Sequence, residues 1–257
     1  MKSFITNRLR GLLPGLAGFL FFLFLWSLLA YRSSSLFFPT PGETVVALRR
    51  LALSGSLLEN TLITVYRTML GFSLAFVLGT LAAVLTFRIR FLAGLFRPLL
   101  SIVQTTPPVV WAALAVIWFG IAEDLTPVFL IFIVTFPLVT VNIYEGLGSI
   151  DGGLLEMAAL YHCRRWQILF GIYLPALSPA FFSSLRVGLA FAWKAAVFAE
   201  FIGSTSGIGY ELSRANSALR TDNLFAWAIV LVGLMLAVEY LIIGPWKQIV
   251  LEWRNNE

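Results

Sequence analysis

Six long apolar runs govern what this chain can become. They cover roughly residues 12–31, 60–87, 98–119, 127–148, 173–202 and 222–246. A helix needs about 20 mainly apolar residues to cross a bilayer. Within lipid every backbone N–H and C=O must find a partner inside the protein, so runs of this kind fold as helices. Of the 257 residues, 59% are hydrophobic and 12% charged, whereas soluble domains carry about 25% charged residues. The expected fold class is all-α: a polytopic membrane protein with about six transmembrane helices, residues 1–257 forming one transmembrane domain. Lys2, Arg8 and Arg10 ahead of an apolar run look like a secretory signal. That run is longer than the 7–15 residues of a signal core, and it reads as a retained first span.

The net charge of +5 is spread over the ends of the apolar runs. It is an orientation signal and not a nucleic-acid footprint. With the N-terminus inside, the cytoplasmic segments hold Lys2, Arg8, Arg10, Arg88, Arg90, Arg97, Arg164, Arg165, Lys247 and Arg254. The other side holds Arg32, Arg49, Arg50, Arg214 and Arg220, offset by Glu43, Glu59, Glu123, Asp124, Glu211 and Asp222. Ten basic residues against five favour both termini in the cytoplasm. The single cysteine, Cys163, excludes an intramolecular disulfide and belongs to no metal-ligand cluster.

Between the fourth and fifth runs lies a basic, amphipathic stretch, Glu156–Pro175, EMAALYHCRRWQILFGIYLP. Arg164, Arg165 and Gln167 keep it out of lipid, while Leu155, Ala159, Trp166 and Leu169 recur near helical spacing. We expect one helix, capped by Asp151 and stopped by Pro175. The orientation above puts it in the cytoplasm, about residues 150–172. Its plainest role is a helix resting on the membrane surface with no partner.

Polar residues interrupt the other runs at particular places. Gly71, Ala75 and Gly79 are spaced four apart, which lets a neighbouring helix approach closely. Arg67 lies about two turns inside the second run and is expected to snorkel to the headgroups. In the third run, Gln104, Thr105, Pro107 and Trp111 surround a double proline that strips hydrogen bonds from the carbonyls of Val103 and Gln104. Such a break marks either a transport site or a kink repaired by the Thr105 and Thr106 hydroxyls. Pro137 should kink the fourth run. Arg186 and Lys194 share one broad face of the fifth run and either line a path for a polar, anionic solute or make structural contacts, for instance to Glu239. Glu200 lies on another side and should pair between helices. Gly203 to Gly209 reads as a flexible loop on the outer side. It has the glycines of a phosphate cradle without the terminal Lys-Ser/Thr. Before the second run, Pro39 to Glu43 forms a turn, followed by a short helix over Thr44 to Leu53.

Glu156, Ala158, Arg165, Trp166, Gln167, Leu174 and Pro175 together resemble the "EAA" loop of bacterial ABC importer membrane subunits, in the subgroup for nitrate, sulfonates and taurine. The segments Leu185-Arg186-x-Gly188, Ala192-Trp193-Lys194 and Ala199-Glu200 resemble the same family, and the resemblance runs over a core of residues 39–245. It departs at His162, where the family usually has glycine at the turn. The resemblance implies a type I importer permease whose loop is a coupling helix docked on a cytoplasmic ATPase, with Glu156, Ala158, Ala159, His162, Arg165 and Trp166 at the contact. It further implies two copies of the ATPase carrying ATP and Mg, a second copy of this chain, and an extracytoplasmic solute-binding protein. The location implied is the bacterial inner membrane. No cofactor is expected on this chain itself, which lacks a Walker-type Gly-x-x-x-x-Gly-Lys-Ser/Thr.

Two other classes compete. An intramembrane hydrolase is poorly supplied, because His162 is the sole histidine and is remote from the Ser204–Ser206 stretch. An ATP-independent channel or secondary carrier fits the intramembrane charges but leaves the cytoplasmic loop unexplained. For an importer, Arg186 and Lys194 favour a small anion. Trp111, Trp118 and Trp193 also admit a flat uncharged heterocycle such as a thiamine precursor or riboflavin.

Overall fold

The computed structural model describes residues 2–34, 37–121 and 124–238, and among these it contains helices and turns but no strand. Eleven α-helices follow in order: α1 (Lys2–Arg32), α2 (Pro41–Leu53), α3 (Ser56–Arg88), α4 (Arg90–Thr105), α5 (Pro108–Phe119), α6 (Leu125–Gly148), α7 (Gly152–Leu160), α8 (Arg165–Ile168), α9 (Leu174–Gly203), α10 (Ile208–Ser217) and α11 (Thr221–Ala237). Among the described residues, three uninterrupted helical stretches are long and apolar enough to cross a membrane: Ser56–Arg88, Leu125–Gly148 and Arg165–Gly203. The α4–α5 pair makes a fourth if counted as one broken span. The first and last expected spans correspond to α1 and α11. The end of the last, with Glu239, Pro245, Lys247 and Arg254, lies outside the described residues, as does Glu123.

The chain divides into two compact units. One comprises residues 1–58 and 211–230. There Thr40 and Glu43 cap α2 reciprocally: the Thr40 hydroxyl accepts from the Glu43 N–H and the Glu43 carboxylate from the Thr40 N–H. That box moves the start of the helix upstream of the expected Thr44, to Pro41, a residue suited to a first turn. The Trp26 indole donates to the Pro39 carbonyl at 2.9 Å, and Phe225 packs against Trp26 and Phe38.

The other unit comprises residues 59–210 and 231–257. Its centre is α6 laid along α9, with α3 pressed against both. Lipid tails are as apolar as leucine, so helix association within a membrane depends on close packing and hydrogen bonds. The small residues of α3 provide the closeness. A Cβ on Gly71 would stand 2.8 Å from Ile131, one on Gly79 would stand 3.1 Å from the Phe136 carbonyl, and Ala75 between them is fully buried. Phe72, Ile131, Leu189, Ala192 and Trp193 form the core where the three helices meet. Many large apolar side chains, among them Leu74, Leu78, Leu81 and Leu85 of α3, remain exposed, as lipid-facing surfaces require.

One expected element differs. The third run is not one kinked span: α4 and α5 meet at 97° across Thr106 and Pro107. The backbone of Thr106 is extended, as a residue before proline prefers. The Thr105 and Thr106 hydroxyls donate to Ser101 and Ile102 carbonyls, and the carbonyl freed at Val103 accepts from the Trp111 indole at 3.3 Å instead. Helix α6 continues through Pro137 as a single element.

Candidate functional site

The predicted coupling segment is two helices joined by a turn, and Pro175 does not end it. Asp151 caps α7 as expected, its carboxylate accepting from the Gly153 N–H at 2.9 Å. The helix then stops at His162, which adopts φ 51°. The His162 N–H reaches the Ala159 carbonyl and the Cys163 N–H reaches that of Ala158. This pair of bonds closes a helix with a left-handed residue, usually glycine. The bend that glycine would make is therefore made by histidine, a residue enriched among non-glycines in this region. Past the turn, the Gln167 side chain accepts from the Arg164 N–H at 2.7 Å and restarts the helix as α8. A π-turn over Leu169–Tyr173 then carries it into α9, where Pro175 sits in the first turn and a missing N–H is tolerated.

Of the six coupling candidates, Ala158 is buried, while Glu156, Ala159, His162, Arg165 and Trp166 are exposed. Glu156, Ala159 and His162 line one shallow recess with Leu160. Bare apolar groups lie along the same segment: Met157, Leu160, Tyr161, and Trp166 stacked on Phe170. Leu160 and Tyr161 are more than three-quarters exposed.

The far end of α9 is arranged in the opposite sense. Glu200 is fully buried, and Arg67 does not snorkel; it is 2% exposed. The Arg67 guanidinium meets Glu200 at 3.1 Å, Asp124 at 2.6 Å, and the carbonyl and hydroxyl of Ser206 at 2.8 and 2.9 Å. The second Glu200 oxygen accepts from the Thr64 hydroxyl at 2.8 Å and the Gly209 N–H at 3.0 Å. The Ile208 N–H donates to the Thr64 hydroxyl and the Gly207 N–H to Asn60. Burying a charge in so apolar a setting is tolerable only when it is paired and hydrogen-bonded, and here both charges are. The glycine loop read as flexible is thus pinned to α3 and α9 through Ser206, Gly207, Ile208 and Gly209. Two of its glycines have no substitute. Gly207 has φ 100° and lies against the Glu200 carboxylate, and a Cβ on Gly209 would collide with the Val197 carbonyl. Glu200 pairs between helices as expected; its partner is Arg67.

Sequence reasoning missed Asn60, Thr64 and Asp124 and misjudged Arg67. The signal was present: Asn60, Thr64 and Arg67 stand at i, i+4 and i+7, a polar stripe on one face of an apolar helix.

The remaining translocation candidates are not gathered into this cluster. Gln104, Thr105 and Pro107 are exposed beside the α4–α5 break, and Trp111 bridges it. Arg186 and Lys194 are both exposed on α9, about 40° and 120° around the helix from buried Glu200, with the Lys194 ammonium 5.5 Å from the Phe191 ring centre.

Comparison with known proteins places this architecture. Residues 75–249 match the family model described as binding-protein-dependent transport system inner membrane component. The chain is 29% identical to the putative aliphatic sulfonates transport permease protein SsuC of Bacillus subtilis, over 85% of this chain and 78% of that one. It is also 29% identical to the riboflavin transport system permease protein RibX of Chloroflexus aurantiacus, over 85% and 81%. Among solved structures, an inward-facing form of the MetNI methionine ABC transporter aligns with TM-score 0.64 at 18% identity, over 77% of this chain and 96% of that one.

Proposed function

Because the chain belongs to the binding-protein-dependent transport system inner membrane components, the permease subunits of ABC importers, we propose that it imports a small organic or inorganic anion by alternating access driven by a separate ATPase. The observation that carries this reading is the coupling segment. An exposed, largely apolar recess sits at the head of a continuous helical run from Arg165 to Gly203. Apolar side chains left bare beside such a recess suit a protein partner. The partner is a pair of cytoplasmic ATPase subunits, which bind ATP and Mg and hydrolyse ATP. A second copy of this chain completes the pathway, and an extracytoplasmic binding protein delivers the solute to it. Both termini face the cytoplasm.

Lys194 and Arg186 favour an anion, as does the similarity to a sulfonate permease. Similarity to a riboflavin permease supports an uncharged heterocycle as the second reading. Purification in mild detergent with mass spectrometry of what accompanies the chain tests the importer reading. A P-loop ATPase in equal amount supports it. A chain that purifies alone and moves solute in liposomes without ATP is a channel or carrier. Glu156→Lys should abolish uptake while leaving the chain in the membrane. Lys194→Ala should reduce anion uptake more than ATPase association; equal loss of both makes Lys194 structural.

A further inference from the structure

A cavity of about 220 Å³ lies between the last turn of α3, the first half of α4 and the C-terminal turns of α6. Pockets for drug-sized ligands have roughly 300–1,000 Å³, so this one suits a fragment such as a lipid headgroup. Ala93, Phe96 and Val141 supply apolar lining, and Arg97, Tyr144 and Glu145 supply the polar groups. Thr86 and Thr140 also border it, but their hydroxyls donate to carbonyls of their own helices. Arg97 donates to the Tyr144 hydroxyl at 2.7 Å, its guanidinium carbon 4.9 Å from the centre of that ring. A guanidinium has five donors and a phenol acting as acceptor keeps its own hydrogen, so both can still donate to a ligand. Phe87 packs against Tyr144 in a T-shaped contact, ring centres 5.7 Å apart.

The location points to lipid. Phe91, Leu95, Leu99 and Ile102 form an exposed apolar stripe along α4, at i, i+4, i+8 and i+11, while Leu100 on the opposite side is buried. The helix thus stands at the boundary with lipid, its other face covering the cavity. Arg88 and Arg90, both exposed, flank the junction of α3 and α4. Exposed arginines at the end of an apolar helix mark headgroup depth.

We propose that this cavity binds the headgroup of phosphatidylethanolamine, with the phosphate on Arg97 and Tyr144 and the primary ammonium on Glu145. One cation and one anion across a small cavity match a zwitterion. A phosphatidylglycerol headgroup offers Glu145 only neutral hydroxyl donors and no countercharge. The trimethylammonium of phosphatidylcholine has no N–H to donate and is bulkier.

The test is titration of the full chain in mild detergent with the three phospholipids, matched in acyl chains, read by native mass spectrometry. Phosphatidylethanolamine should bind about tenfold more tightly than either other lipid, the worth of one charge-assisted hydrogen bond. Arg97→Gln should weaken it by a similar factor, and Glu145→Gln should erase its advantage over phosphatidylglycerol. Should Arg97→Gln fail to fold, Val141→Phe fills the cavity without touching a charge and should give the same loss. Equal binding of the three lipids overturns the proposal, as does a preference for phosphatidylglycerol or a Val141→Phe chain that binds as the wild type does. No ATP, solute or partner enters the measurement, so its failure leaves the importer reading intact.

Discussion

The two ends of the helical run from Arg165 to Gly203 solve opposite problems. At the Glu200 end, polar groups are buried and each charge has found its partners within the chain. At the coupling end, apolar groups lie bare and no part of the described chain covers them. The two lie roughly 50 Å apart along the helix, from its rise of about 1.5 Å per residue. One end has its polar groups satisfied within the chain, and the other leaves apolar groups bare, as the proposed docking on an ATPase requires. Stability should therefore reside in the Arg67–Glu200 cluster, and dependence on a partner in the loop.

The sharpest way to break that contrast is Arg67→Ala. It leaves the Glu200 carboxylate buried and uncompensated, an effect of about 3–5 kcal/mol. The expected result is a large fall in the denaturation midpoint of the purified chain, or loss of folded protein. Arg67→Met combined with Glu200→Leu removes both charges and should recover much of that stability. On the coupling side, Trp166→Ala should change the stability by less than about 0.5 kcal/mol, as surface substitutions do, and act instead on ATPase association. A Trp166 variant that unfolds as readily as the Arg67 variant would remove the distinction.

Gly209→Ala comes next. The added methyl has no room between the Val197 carbonyl and the Glu200 side chain. Overpacking of this kind costs about 1–3 kcal/mol. It should loosen the pinned glycine loop, seen as faster proteolysis or hydrogen exchange over residues 204–209. Unchanged protection there would mean the loop is held by something other than its contact with Glu200.

How much of this could be read beforehand depends on whether the signal was local. Helix packing along α3 was legible in Gly71, Ala75 and Gly79, because small residues at that spacing permit only close approach. Asp151 was legible as a cap for the same reason: its partner is two residues away. Arg67 was not. Whether an arginine near a helix end snorkels or turns inward depends on what stands opposite it, and here that is Glu200, 133 positions later, and Asp124. The α4–α5 break was foreseen at the right prolines but with the wrong repair, since Trp111 reaches Val103 only after the chain has turned through 97°. Pro175 misled because proline stops a helix in its interior and not in its first turn. Only the His162 turn upstream shows which of these applies.

Asp124 should matter much less than its distance from Arg67 suggests. Its side chain is 61% exposed, and Arg67 keeps Glu200 and Ser206 without it. Exposed ion pairs contribute about 0.2–1 kcal/mol. Asp124→Asn should therefore lower the midpoint only slightly, and less so in high salt, where such pairs are screened. A loss as large as that of Arg67→Ala would mean that the cluster depends on all three charges and not on the buried pair.

The smallest expected effect sits on the other side of the comparison. His162 holds φ 51° where a side chain pays a steric penalty of about 1–2 kcal/mol. His162→Gly relieves it but gives the unfolded chain more freedom, worth about 0.5–1 kcal/mol in the other direction. The net change in stability should be a gain of no more than about 1.5 kcal/mol, with the turn bonds to Ala158 and Ala159 kept. His162→Val, β-branched and poorly suited to this region, should lose the turn. If His162 serves only to close α7, the glycine variant will couple to the ATPase as well as the wild type does. Should the glycine variant keep the fold and lose ATPase association, the imidazole in the recess beside Glu156 is itself part of the contact. The departure from glycine would then be a feature of recognition and not a tolerated strain.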